Sequence, residues 1–180
     1  IGIVPYKSTL QLHAEAARNA LADAGIDKSE VDGIFTAAGG WAGTLQTAEY
    51  LGIVPSYTDS TSVGGSSFVI HVEHAAAAIS AGLCEVALIT HGETGHSNRF
   101  RPGGGFRGGM DAWAPASQFE APYHLGGAPS MYALACMRHM HQYGTTHEQL
   151  AEIAVATRKW AMLNPKALMR EPLTIEDVLS

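Results

Sequence analysis

Nine histidines, two cysteines and a cluster of arginines are the groups in this chain most able to bind or transform a ligand. Arg99, Arg101 and Arg107 lie in the stretch from Asn98 to Gly109, which holds no acid. A local anion site and a solvated glycine-rich loop are the two readings of that stretch. His91 and His96 follow an apolar run, Val86 to Thr90, that reads as a buried parallel strand. Such strands present functional groups at their C-terminal ends, so His91 is a candidate to line a pocket. His71 and His74 have i, i+3 spacing on one helix face. A zinc pair would need further ligands, and only Glu73 is near, so packing roles are expected and no metal is assigned. His139 and His141 are two apart on a helix and face different ways, which argues against a shared metal. Cys84 stands between a helix end and a buried strand, and Cys136 stands among Ala133, Leu134, Ala135 and Met137. Both read as apolar filler.

The elements that must hold these groups follow from periodicity. Leu10, Ala14, Ala17, Leu21 and Ala24 predict a helix over Thr9 to Ala24, stopped by Gly25. Ser29 to Asp32 reads as a capped turn, Val31 to Ala38 as a strand and Thr44 to Leu51 as a helix ended by Gly52 and Pro55. A serine- and threonine-rich segment from Thr58 leads through Gly64-Gly65-Ser66-Ser67 into an alanine-rich helix over Ser66 to Ala81. Together with Val86 to Thr90 this predicts an α/β unit with a right-handed crossover. From Gly92 to Gly127 glycines and prolines recur without periodicity, as in functional loops. Pro129 to Tyr143 and Thr146 to Leu163 then predict two helices. The second opens with overlapping capping boxes, Thr145 with Glu148 and Thr146 with Gln149, and Thr174 with Asp177 begins a further turn. The organisation expected is an α/β core over residues 1–92, with the loop region and helices of the same domain over 93–180.

Composition sets the outer limits. The chain of 180 residues is 46% hydrophobic and 16% charged, which suits a globular core. The formal charge of −6 disfavours nucleic acid as a partner. No apolar run reaches the roughly 18–20 residues of a membrane span, and no signal-peptide pattern opens the chain. Two cysteines are too few for a disulfide framework, so a reduced, cytoplasmic setting is expected.

Three segments carry a family resemblance: GGSSFVIHVEHAAAAI, GLCEVALITHGE and MRHMHQYGTTHEQLAEIAVATRKWAMLNPKALMREPLTIEDVL. They resemble the thiolase superfamily, and most closely the branch of sterol-carrier-protein-type thiolases and lipid-transfer proteins. The resemblance covers nearly the whole chain. It implies a thiolase fold, here the N-terminal α/β half with a central sheet, a buried helix and an inserted loop region. The family's nucleophilic cysteine sits at the turn before the central helix. Counting back from Gly82 by the family's spacing lands on Gly65, followed by Ser66 and Ser67, and no cysteine stands anywhere from Thr58 to Ser80. The chain thus resembles a branch without that cysteine.

The turn keeps what a helix start offers. Backbone N–H groups from Gly65 to Ser67, at the positive end of the helix dipole, can bind a thioester or enolate oxygen. Ser66 as nucleophile is disfavoured, since a serine needs an adjacent base and GGSSF lacks the G-x-S-x-G spacing. The serine side chains are expected to cap the helix. The resemblance implies carbon–carbon cleavage of acyl-CoA thioesters by retro-aldol chemistry, as in steroid side-chain degradation, with the coenzyme A thioester as substrate and no covalently bound cofactor. It also implies a homodimer and a small partner with an oligonucleotide-binding-like fold and a zinc ribbon. Arg99, Arg101 and Arg107 become candidates to bind coenzyme A, and so does His124, which falls where the family contacts the pantetheine arm. A ketothiolase of lipid metabolism and a non-catalytic acyl-CoA-binding or scaffold subunit are the competing readings. The catalytic base is expected from these histidines or from outside the chain.

Overall fold

A computed structural model describes residues 2–37, 42–98, 115–123, 125 and 128–180. It has two compact units, one over residues 3–100 and the other over residues 101–180 with the chain start.

The first unit is a three-layer α/β arrangement. Its helices are α1 (Thr9–Ala24), α2 (Gly43–Leu51), α3 (Ser67–Ser80) and the short α4 (Gly95–Asn98). Its strands are β1 (Gly33–Phe35), β2 (Tyr57–Asp59) and β3 (Ala87–Ile89), all parallel, in the order β2-β1-β3. The pleat sends alternate residues to opposite faces. Ile34 and Leu88, level with each other in the register, face one side. There they join Ala17 of α1, Ala48 and Leu51 of α2, and Val31 and Ile53 in one apolar cluster. Phe35 faces the other side and clusters with Ala75 and Ala78 of α3 and with Cys84. Only one stripe of α3 is buried in this chain, through Ser67, His71, Ala75 and Ala78. Val69, Val72 and Ile79 on its other side are exposed, so the buried helix expected from the sequence is here a half-covered one.

Local chemistry explains the element ends. α1 opens on a reciprocal capping box of Ser8 and Gln11 and stops at Gly25 in the left-handed region. The turn expected at Ser29 to Asp32 is a short 3-10 helix over Lys28–Glu30, capped by Asp27. The Asp32 carboxylate accepts from the amides of Glu85 and Val86 at 2.8–2.9 Å, which ties the start of β1 to the start of β3. These amides hold the Asp32 carboxyl below the usual carboxylate range.

The second unit contains α5 (Pro115–Phe119), α6 (Ala128–Tyr143), α7 (His147–Leu163) and α8 (Ile175–Leu179). α7 and α8 both begin with capping boxes, Thr146 with Gln149 and Thr174 with Asp177. The second box expected at α7 does not form: the Thr145 hydroxyl instead meets His139 Nδ1 at 2.9 Å. Ala151 and Val155 are the buried residues of α7. Among the described residues no helix is long and apolar enough to cross a membrane.

Candidate functional site

The turn from Asp59 to Ser67 joins the C-terminal end of β2 to α3. The Thr61 amide donates to Asp59 Oδ1 at 2.7 Å, and His74 Nδ1 pairs with Asp59 Oδ2. Burial acts to raise the Asp59 pKa, but bonds from Thr61 and His74 outweigh it and leave the carboxyl below its ordinary range. His71, fully buried and T-shaped against Phe68, brings Nε2 within 3.0 Å of the Thr61 carbonyl. A carbonyl only accepts, so Nε2 carries the hydrogen. Both helix histidines therefore pin the turn to α3. Among the described residues no group of His, Cys, Asp and Glu is arranged for a metal.

Ser67 makes the tightest contacts. It is fully buried, and its Oγ donates to the Gly64 carbonyl at 2.6 Å and accepts from the Val63 amide at 2.9 Å. Its own amide donates to Gly64 O at 3.1 Å. That corrects the sequence reading at this position: the Ser67 amide is occupied, which leaves Gly65 and Ser66 as the candidate donors. Ser66 stands at the N-cap but its side chain makes no capping bond. The expected serine caps are thus replaced by a Ser67 rivet inside the turn. Gly64 has φ +78°, a conformation that strains any residue with a Cβ. Gly64, Gly65 and Ser66 are all exposed, so the turn opens to the surface.

His91 stands beside this turn. Its ring centroid lies 4.3 Å from that of Phe68, the residue after Ser67. It also lines a cleft of about 480 Å³ with Leu10, His13, Ala37, Gln46 and Glu93 among others, at the C-terminal ends of β1 and β3. His13 was not identified from the sequence. It is 1% exposed, and its Nδ1 lies 2.9 Å from Thr90 Oγ1. The available signal was its place on the buried stripe of α1, between Leu10 and Ala17. Asp59, the other organising residue missed, gave no comparable signal.

The remaining candidates lie elsewhere. Cys84 is 3% exposed in the core beneath α3, and burial pushes its thiol pKa up, as expected of filler rather than a nucleophile. Cys136 is a half-buried free thiol on α6. Arg99, Arg101, Arg107 and His124 lie outside the described residues.

No family model matches the chain. It is 33% identical over 176 residues to the steroid side-chain-cleaving aldolase of Thermomonospora curvata, covering 95% of this chain and 45% of that protein. It is 31% identical over 182 residues to the 17-hydroxy-3-oxo-4-pregnene-20-carboxyl-CoA lyase of Mycobacterium tuberculosis, with the same coverage of 95% and 45%. The solved Ltp2-ChsH2(DUF35) aldolase matches with a TM-score of 0.82 and 32% identity, over 97% of this chain and 44% of that one. A monomeric SCP2-thiolase-like protein from Mycobacterium smegmatis shares the fold, with a TM-score of 0.69 and 21% identity over 99% of this chain and 37% of that one. The parallel sheet, the helix that starts at a glycine–serine turn and these likenesses define a thiolase-like α/β protein. Within that class the chain belongs to the lipid-transfer branch that lacks the nucleophilic cysteine. It spans about half the length, 45%, of the curated relatives it matches.

Proposed function

We propose that this chain binds acyl-CoA thioesters and serves carbon–carbon cleavage of the retro-aldol type, with no acyl-cysteine intermediate. The observation that carries the reading is the open Gly64–Ser66 turn at the head of α3, which has backbone donors and no sulfur. In such a reaction a base takes the proton of the β-hydroxyl. The Cα–Cβ bond breaks to leave a carbonyl compound and a thioester enolate, which is then protonated. The amides of Gly65 and Ser66 suit the enolate oxygen, and His91 stands next to them as the nearest titratable candidate. Two relatives named an aldolase and a CoA lyase support the chemistry and a steroid side-chain acyl group. Arg99, Arg101, Arg107 and His124 remain candidates for the coenzyme A moiety by charge and position.

An aldolase solved with two named components, Ltp2 and ChsH2, supports a partner subunit here as well. The exposed apolar side of α3, with Val69, Val72 and Ile79, suits close packing against a second copy or another domain. Full-length protein incubated with a β-hydroxyacyl-CoA and no free coenzyme A should release the carbonyl product, and prior treatment with iodoacetamide should leave the rate unchanged. Cleavage that requires free coenzyme A and is abolished by alkylation would overturn the proposal in favour of thiolysis. Acyl-CoA binding with neither reaction would favour a non-catalytic subunit.

A further inference from the structure

The cleft shared by α1 and the loop after β3 contains an unanswered hydrogen-bonding atom. His13 is 1% exposed and its Nδ1 is engaged by Thr90 Oγ1. Its Nε2 is buried and has no hydrogen-bond partner. A buried polar atom left so costs about 1–3 kcal/mol, which a ligand atom placed there would relieve. His13 is itself among the residues lining the cleft, whose volume of about 480 Å³ falls within the range of small-molecule sites. The ring is held firmly. Gly92 approaches it so closely that an added Cβ would lie 2.9 Å from His13 Cδ2 and 2.8 Å from the Thr9 carbonyl.

The lining also says what kind of group fits. The described lining residues include no lysine or arginine, and Glu93 adds a negative charge at the rim. Burial, and then the neighbouring His91, push the His13 pKa down, so the imidazole is neutral. A phosphate or carboxylate would meet no counter-charge. If Thr90 donates to Nδ1, then Nε2 bears a hydrogen and needs an acceptor. If Nδ1 donates to Thr90, then Nε2 is an acceptor and needs a donor. A hydroxyl satisfies either arrangement.

We propose that this cleft is a binding subsite for an uncharged, hydroxyl-bearing group, which docks its oxygen on His13 Nε2. The inference rests on the acyl-thioester reading only in assigning that group to the acyl portion of the substrate. His91 faces both the cleft and the α3 turn, so a bound acyl group would be gripped on one side while its thioester lies at Gly65 and Ser66.

The test is nuclear magnetic resonance of full-length protein labelled with ¹⁵N-histidine, titrated with cyclohexanol and separately with cyclohexanecarboxylate. Cyclohexanol should shift the His13 Nε2 resonance saturably, and the carboxylate should not. H13N keeps a polar atom where Nδ1 meets Thr90 and removes Nε2, and it should bind cyclohexanol about 10-fold more weakly. An unmoved His13 signal, equal binding of the carboxylate, or wild-type affinity in H13N would overturn the subsite. The readout needs neither thioester nor turnover. A His13 shift alongside failed cleavage therefore sinks the catalytic reading alone, and cleavage without the shift sinks the subsite alone.

Discussion

Replacing Ser67 by alanine tests whether the turn at the head of α3 is built as described. The hydroxyl makes two bonds, to Gly64 O at 2.6 Å and from the Val63 amide at 2.9 Å, from a fully buried position. Each such bond contributes about 1 kcal/mol net. Val63 and Gly64 are themselves exposed, so water can reach the groups left behind and the full desolvation penalty does not apply. The expected loss is therefore about 1–2 kcal/mol, or roughly 3–6 °C in Tm for a chain of this size. Ser66 makes no capping bond, so S66A should stay within about 0.5 kcal/mol of wild type. Urea unfolding followed by circular dichroism reads the stability difference, and amide exchange at Val63 should quicken in S67A only. The reasoning is refuted if S66A costs as much as S67A, or if S67A changes neither stability nor exchange at Val63. Serine capping would have reversed the ranking.

Three further outcomes follow from the geometry. G92A places a Cβ 2.8 Å from Thr9 O and 3.0 Å from His13 N, backbone atoms of α1 that cannot step aside, so urea unfolding should show a loss of about 1–3 kcal/mol. The folded pKa of Asp32 is lowered, so its stabilisation is present above the unfolded carboxylate value of about 4 and fades as pH falls through the folded value. D32N should accordingly flatten the acid limb of a stability-against-pH curve, and an unchanged limb would contradict the latch to Glu85 and Val86. Iodoacetamide mapped by mass spectrometry on native protein should spare Cys84, which is buried with a raised thiol pKa, and label Cys136 first.

The helices were legible because their signals are local. The stripe Leu10, Ala14, Ala17, Leu21, the stop at Gly25 and the Thr146–Gln149 box each act within a few residues, and the structure puts the helix of Thr9–Ala24 at the bounds read from the sequence. β3 was legible as an apolar run, although its ladder is shorter, Ala87–Ile89, than the span of Val86 to Thr90. β2 was missed. Tyr57–Asp59 has no apolar run, and it is a strand because it pairs with β1, not because of its own propensity. The absent cysteine could be seen in the sequence, but the inner wiring of the turn could not. Ser67 turning inward, Asp59 meeting His74 and His13 meeting Thr90 across 77 positions are contacts between distant segments. Helix-start statistics favour serine caps, and here the Gly64 kink re-aims the second serine into the turn.

The register of the sheet has an evolutionary meaning. Phe35, Asp59 and Ile89 finish level with one another, and the next amides, of Thr36 and Thr90, still bond across to Asp59 and Phe35. Three loops thus spring from one rim, while the apolar residues that stabilise the sheet lie behind it. A lineage can exchange the reactive group at that rim, sulfur included, and keep its scaffold unaltered, so ancestry and reaction type are free to part company in such a protein.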